Sequence, residues 1–214
     1  MNAVAARLMS ALAGQLGHPH GLPGKGVAVL LNRANRRDVI AAVEAAAITS
    51  SETVADLGFG GGAGLELLLD RVESTGIVYG VDISKDMVNR ARSRLTRYVD
   101  SGRLRLLQGS LSALPLADAS LDAIITVNTI YFVPDLDVVF TELARVLRPD
   151  ARAVICIGAP AAMARMPFTP YGFTLRPVTE VIAALERAGL SVDHHEVPVG
   201  LMPGHLLIAR RPAR

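Results

Sequence analysis

The sequence predicts an α/β chain: a doubly wound, mostly parallel, seven-stranded sheet with a C-terminal antiparallel hairpin and an N-terminal helical cover. Three observations carry this. From residue 53 onward, short apolar runs alternate with segments of helical periodicity five times. The first run, Val54-Ala55-Asp56-Leu57, ends in a glycine cluster, Gly58-Phe59-Gly60-Gly61-Gly62. The last two runs are joined by a short link containing Pro198, Gly200, Pro203 and Gly204. Alternation implies parallel strands with helices on both faces; so short a link joins antiparallel neighbours.

In chain order, residues 1–47 read as helical, interrupted by His18-Pro19-His20-Gly21-Leu22-Pro23-Gly24-Lys25-Gly26, which holds too much Gly and Pro for either regular structure. Val4, Leu8, Leu12 and Leu16 fall on one helical face, suited to covering a pocket. Arg7 interrupts this apolar segment and no basic region precedes it, so it does not read as a signal peptide. Strands are predicted at 53–57, 77–82, 104–108, 121–127 and 153–157, with the closing pair at 191–197 and 205–210. Helices are predicted at 64–73, 85–99, 136–147 and 178–188. Asp135 is the expected N-cap of the third of these and Pro149 lies past its end, while Gly189 closes the fourth.

The 214 residues suffice for one domain, 1–214, with 1–47 as cover and 48–214 as core. Half the residues are apolar and 20% are charged, an ordinary globular balance. A formal net charge of +2 and the absence of Trp argue against a nucleic-acid partner. The single cysteine, Cys156, sits in an apolar run and reads as core. Cys-based metal or disulfide chemistry is therefore not expected, and a reducing cytoplasm is compatible. No apolar run is long enough to span a bilayer, so stable membrane insertion is not expected.

The glycine cluster is the principal candidate site. Glycines 58, 60 and 62 permit a sharp turn and close approach of a ligand. Ala63-Gly64-Leu65 then opens a helix whose first N–H groups are free. Gly58-x-Gly60-x-x-Ala63 also fits the dinucleotide fingerprint, which keeps an NAD(P)-dependent oxidoreductase as an alternative. Asp56 opposes that alternative, because a carboxylate beside a pyrophosphate is unfavourable, whereas a ligand ammonium group would be favoured there. Asp82 ends the second strand, where an acid accepts ribose hydroxyls; Ser84 fits the N-cap of the next helix. Gln108-Gly109-Ser110-Leu111 follows the third strand at the same sheet edge, with Ile83 and Leu111 as apolar faces for a base. Asn128 ends the fourth strand in front of the glycine turn, suited either to the reacting end of a ligand or to a structural turn.

The ordered set of motifs resembles the class I S-adenosylmethionine-dependent methyltransferases, in particular the small-molecule, ubiquinone-biosynthesis-like (type 11) group. The matching segments are Val54 through Gly62, Val81-Asp82-Ile83-Ser84 with Met87, Gly109-Ser110, Leu114-Pro115-Leu116, Ser120-Leu121-Asp122-Ala123, and Leu143-Ala144-Arg145-Val146-Leu147-Arg148-Pro149. The resemblance implies a Rossmann-like core that binds S-adenosylmethionine, releases S-adenosylhomocysteine and needs no metal. It implies that Asp56, Gly58, Phe59, Gly60 and Gly62 face the methionine part and Asp82 the ribose. Ile83 and Leu111 would sandwich the adenine, with Ser110 near its amino group, and Met87, behind Ile83, would also belong to the cofactor site. Ser110 stands where an acid is usual, and Phe59 where a small residue or Cys is common.

Methyl transfer from a sulfonium relies mainly on positioning and electrostatics, with a general base optional. The base candidates are His20, with His18 beside it, and Tyr131 after the fourth strand. Asn35, with Asn32 and Arg36, is placed to reach the cofactor carboxylate or to cap a helix. The arginines of 85–99 read as a solvated face, and His194, His195 and His205 as structural. Met163, Met166, Phe168, Tyr171 and Phe173 follow the fifth strand and could line a pocket for a small lipophilic acceptor. A non-catalytic protein that binds S-adenosylmethionine is a further alternative. The oligomeric state is not readable from the sequence.

Overall fold

Strand β1 (Thr53–Leu57) sits centrally in a seven-stranded sheet, and four of its five residues are buried. The computed structural model describes residues 7, 9, 10, 13, 14, 35–199 and 202–213. Before β1 lies α1 (Arg36–Ala45); after it come α2 (Ala63–Arg71), β2 (Ile77–Asp82), α3 (Lys85–Arg94), α4 (Thr96–Asp100) and β3 (Leu104–Gln108). The second half comprises β4 (Leu121–Val127), a 3₁₀ turn (Ile130–Phe132), α5 (Leu136–Val146), β5 (Leu147–Gly158), α6 (Pro160–Met163), α7 (Val178–Arg187), β6 (Ser191–Val199) and β7 (Met202–Arg210).

The strand order is β3-β2-β1-β4-β5-β7-β6. Strands β1 to β5 pair in parallel, and β7 joins antiparallel to both β5 and β6. The chain moves outward through β2 and β3, then returns to the other side of β1. The reversal opens a crevice beyond the carboxyl ends of β1 and β4. Both sheet faces are covered, which is why the parallel strands are nearly all apolar. On one face Val43, Leu65, Leu68 and Val88 pack on Val54, Val78 and Ile125. On the other, Phe140, Leu143 and Leu185 pack on Leu57, Ile124 and Ile155. Each such side chain contributes about 1.5–3 kcal/mol through removal from water.

Local signals act as their chemistry dictates. Asp135 Oδ1 accepts from the N–H groups of Asp137 and Val138, Ser84 Oγ accepts from Met87 N–H, and Gly189 after α7 takes φ +83°. Cys156 is fully buried.

The largest departures from the expected boundaries fall in three places. The helix expected over 85–99 breaks at Leu95, where the Thr96 hydroxyl donates to the carbonyls of Arg92 and Ser93 and competes with the helical ladder. Strand β5 starts at Leu147 rather than 153, with an irregular register opposite Leu121 and Ala123 and a positive φ at Asp150. Strands β6 and β7 extend further into the hairpin, with Pro198 opposite Pro203. Of the N-terminal cover, Arg7, Met9, Ser10, Ala13 and Gly14 are helical. Val4, Leu8, Leu12, Leu16 and the Gly/Pro-rich break lie outside the described residues.

Helix α1 is an integral part of the core. Val39, Ala42 and Val43 are buried, and the Arg152 guanidinium of β5 donates to the carbonyls of Ala46 and Ala47 at its end. Both nitrogens of the same guanidinium fork contact Glu52 at 2.9 Å, a bidentate, largely buried pairing.

Candidate cofactor site at the switch point

The turn after β1 is built from left-handed glycines: Gly58, Gly60 and Gly62 have φ +73°, +49° and +81°. They serve different ends. A Cβ on Gly58 would fall 2.3 Å from the Thr129 methyl carbon, so Gly58 lets the loop after β4 close against the turn. A Cβ on Gly62 would fall 2.7 Å from the Arg94 guanidinium, which donates to the Gly62 carbonyl at 3.1 Å. A Cβ on Gly60 would meet nothing nearer than the Gly58 carbonyl at 4.0 Å. The backbone at Gly60 is therefore open to close approach from the crevice.

Two buried carboxyl groups flank this turn. Asp82 accepts the Gly60 N–H on Oδ2 and the Ser84 N–H on Oδ1, each at 2.8 Å. Asp56 is 5% exposed and lies against the first turn of α2, where a Cβ on Gly64 would come within 2.1 Å of its Oδ2. Burial, with a smaller contribution from Asp82, pushes the Asp56 carboxyl up to about 8. A group so placed gains most from a cation that completes its environment.

Along the sheet edge, Ile83 is 43% exposed, an unusual state for isoleucine immediately after a buried acid. Ser110 is half-buried, and its Oγ accepts the Ser112 N–H at 3.2 Å. Met87, Leu111 and Phe59 are buried and packed into the core layers. Phe59 also lies close to Gly80, where a Cβ would come 3.1 Å from its ring.

At the other end of the crevice, Asn128 has φ +53°, a conformation that asparagine tolerates better than most residues. Its Nδ2 donates to Asn35 Oδ1 at 3.3 Å and to Asp38 Oδ2 at 3.2 Å. Its Oδ1 accepts from the Tyr131 hydroxyl at 3.3 Å. That hydroxyl in turn accepts the Gly158 N–H at 2.7 Å. Asn35 precedes α1 without a side-chain cap bond, so its side chain faces the network instead. Tyr131 is buried, and burial moves its ionisation above the ordinary tyrosine value. With its hydroxyl engaged on both sides, the geometry suits bracing better than the proton transfer expected from sequence. Beside it, Phe132, Phe168 and Phe173 form an aromatic cluster with centroid separations of 4.6 and 5.4 Å. His20, His18 and Asn32 lie outside the described residues.

Four contributors escaped the sequence reading. Asp38 is 2% exposed; its signal was an acid placed on the Ala42–Ala46 face of α1. Gly64 admits the Asp56 carboxyl, Thr129 closes on Gly58, and Arg94 braces Gly62. Arg92 and Arg94 lie on an exposed face, as expected, and also donate to the carbonyls of Leu106 and Gly62. His194 and His205 face one another at 3.0 Å on the hairpin. Among the described residues there is no group of three or more metal-ligating side chains and no helix long and apolar enough to cross a membrane.

Residues 55–155 match the family described as a methyltransferase domain. An arsenite methyltransferase of Halobacterium salinarum is 34% identical over 110 residues, covering 51% of this chain and 28% of that protein. A demethylmenaquinone methyltransferase of Tropheryma whipplei is 37% identical over 117 residues, covering 54% and 46%. The chain thus spans less than half the length of these two relatives. A solved structure of an S-adenosylmethionine-dependent methyltransferase from Aquifex aeolicus superposes with a TM-score of 0.69 at 25% identity, covering 81% of this chain and 89% of that one. Residues 55–155 are thus similar to a methyltransferase domain, on a fold like that of a solved S-adenosylmethionine-dependent methyltransferase.

Proposed function

We propose that the protein binds S-adenosylmethionine in the switch-point crevice and transfers its methyl group to a small, lipophilic acceptor. The observation that carries this reading is the pair of carboxyl groups around an open glycine turn, with Ile83 exposed beside them. Asp56 suits the ammonium group of the methionine part, Asp82 the ribose hydroxyls, and Ile83 one face of the adenine. Ser110 and Leu111 would border that adenine from the loop after β3, and Gly60 would let the methionine part approach the backbone. When bound, the cofactor supplies an electrophilic methyl on a sulfonium. The chain's own residues orient the two reactants and keep water out. A dinucleotide is disfavoured, because its pyrophosphate would lie beside the buried Asp56 at the glycine turn.

For the acceptor, the half-buried Phe132, Phe168 and Phe173 beside Tyr131 offer an apolar, aromatic wall near Asn128. The similarity to a demethylmenaquinone methyltransferase supports a quinone-like ring among the candidates. His20 remains the proposed proton acceptor for hydroxyl substrates. Calorimetry with S-adenosylhomocysteine and with NADH tests the cofactor: micromolar binding of the former alone is expected, and binding of NADH alone would overturn the reading. Incubation of the protein with isotopically labelled S-adenosylmethionine and a set of quinols, fatty acids and polar amines then tests the acceptor class. Transfer to the polar amines alone would refute the lipophilic assignment.

A further inference from the structure

We propose that Asp38 is a positioning residue: its carboxylate fixes the orientation of the Asn128 amide and, through it, the Tyr131 hydroxyl that ties β5 to β4. Asp38 is buried on α1, and α1 is itself clamped to β5 through Arg152. A carboxylate only accepts hydrogen bonds. The Asn128 nitrogen must therefore face Asp38, at 3.2 Å, which leaves Oδ1 facing the Tyr131 hydroxyl at 3.3 Å. Tyr131 then offers its proton to Asn128, with the Gly158 carbonyl at 3.4 Å as a second acceptor, and turns a lone pair to the Gly158 N–H at 2.7 Å. One acid thus favours a single orientation of the Asn128 amide and, with it, of the Tyr131 hydroxyl.

The consequence reaches the glycine turn through the backbone. Asn128 holds φ +53°, its N–H donates to the Cys156 carbonyl at 2.9 Å, and the next residue, Thr129, packs on Gly58. A neutral amide at position 38 would accept either orientation of Asn128 and remove the directional constraint. The link to ligand binding rests on the cofactor reading; the internal coupling does not.

The test uses Asp38→Asn and the exchange D38N/N128D. In the double variant the amide introduced at 38 donates to a carboxylate introduced at 128, which still accepts from Tyr131, and aspartate also tolerates the left-handed conformation. The first readout is hydrogen exchange of the Gly158 amide by NMR in the ligand-free protein; the second is calorimetric affinity for S-adenosylhomocysteine. In Asp38→Asn, Gly158 exchange should rise about tenfold and affinity fall about fivefold, as expected for a weakened buried hydrogen-bond chain. The double variant should recover both to within about threefold of the parent, the signature of a coupled pair. Unchanged Gly158 exchange in Asp38→Asn, or a double variant no better than the single, would overturn the proposal. If Asp38→Asn does not fold, recovery of folded protein by the double variant supports it and failure to recover refutes it. A parent protein that binds no S-adenosylhomocysteine would defeat the cofactor reading, while the exchange measurement still decides the coupling.

Discussion

Gly60 and Asp82 are joined across 2.8 Å, the glycine N–H donating to the Oδ2 of the acid. The same carboxylate takes the Ser84 N–H, and the Asp82 carbonyl takes the Gly109 N–H at 3.1 Å. One residue at the end of β2 therefore holds the loops that follow β1, β2 and β3 in mutual register.

Asp82→Ala removes both carboxylate acceptors. The N–H groups of Gly60 and Ser84 lose their partners, at a cost of about 1–3 kcal/mol for each one that stays buried and unsatisfied. The melting temperature should fall by several degrees, and calorimetric affinity for S-adenosylhomocysteine should fall at least about thirtyfold, the equivalent of about 2 kcal/mol. Affinity within threefold of the parent would remove Asp82 from the site.

Two glycines with positive φ separate strain from function. Gly60 (φ +49°) and Gly102 (φ +76°) would each accommodate a Cβ without close contact. Alanine at either should cost about 1–2 kcal/mol through the left-handed backbone alone. Thermal melts of Gly60→Ala and Gly102→Ala should therefore move together. Only Gly60→Ala should weaken S-adenosylhomocysteine, by at least about tenfold, because its methyl projects into the crevice. Equal affinities for the two variants would show that the ligand does not rest on Gly60.

The strand boundaries of β1 to β4 were legible because each is a short apolar run bounded by turn residues, and buried parallel strands leave little room for other side chains. The candidate edge was legible in outline, because Asp56 and Asp82 lie in the last two residues of β1 and β2 and the glycine turn follows β1. What the sequence hides is contact across the fold. Gly64 matters because Asp56, eight residues earlier, presses on it. Asp38 matters because Asn128, 90 residues later, donates to it. Arg94 looked like its neighbours Arg90 and Arg97, and only packing shows that it reaches Gly62, 32 residues away. Periodicity reports which face is apolar; it does not report which polar side chain finds a backbone carbonyl.

Arg94→Ala tests that last contact. The paired Glu66 is half exposed and 3.4 Å away, so the ion pair itself contributes little. The loss falls on the hydrogen bond to the Gly62 carbonyl. Stability should change by about 1 kcal/mol or less, whereas affinity for S-adenosylhomocysteine should drop about threefold to tenfold as the turn loosens. An Arg94→Lys variant, with no fork to reach the carbonyl and Glu66 together, should lie between the two. A large loss of stability with unaltered affinity would make Arg94 a scaffold residue only.

The Asp56 carboxyl gives the site a pH signature. Its folded-state value is about 8, against an ordinary value of 3.8, because it is buried and lies near Asp82. A raised value means that the protonated form favours folding. This contribution is full below about pH 4 and is lost as the pH rises through about 8. A ligand that places an ammonium group against Asp56 selects the ionised carboxylate instead, so binding must expel a proton throughout the window below 8. Affinity for S-adenosylhomocysteine should rise toward tenfold per pH unit between about 6 and 7.5 and flatten above about 8. Calorimetry at pH 7 in two buffers of different ionisation enthalpy should register close to one proton released. Asp56→Asn should abolish both the slope and the proton release, and should flatten the loss of ligand-free stability between pH 4 and 8. A parent protein whose affinity is level from pH 6 to 8 would mean that the carboxyl is already ionised or does not meet the ligand's cation.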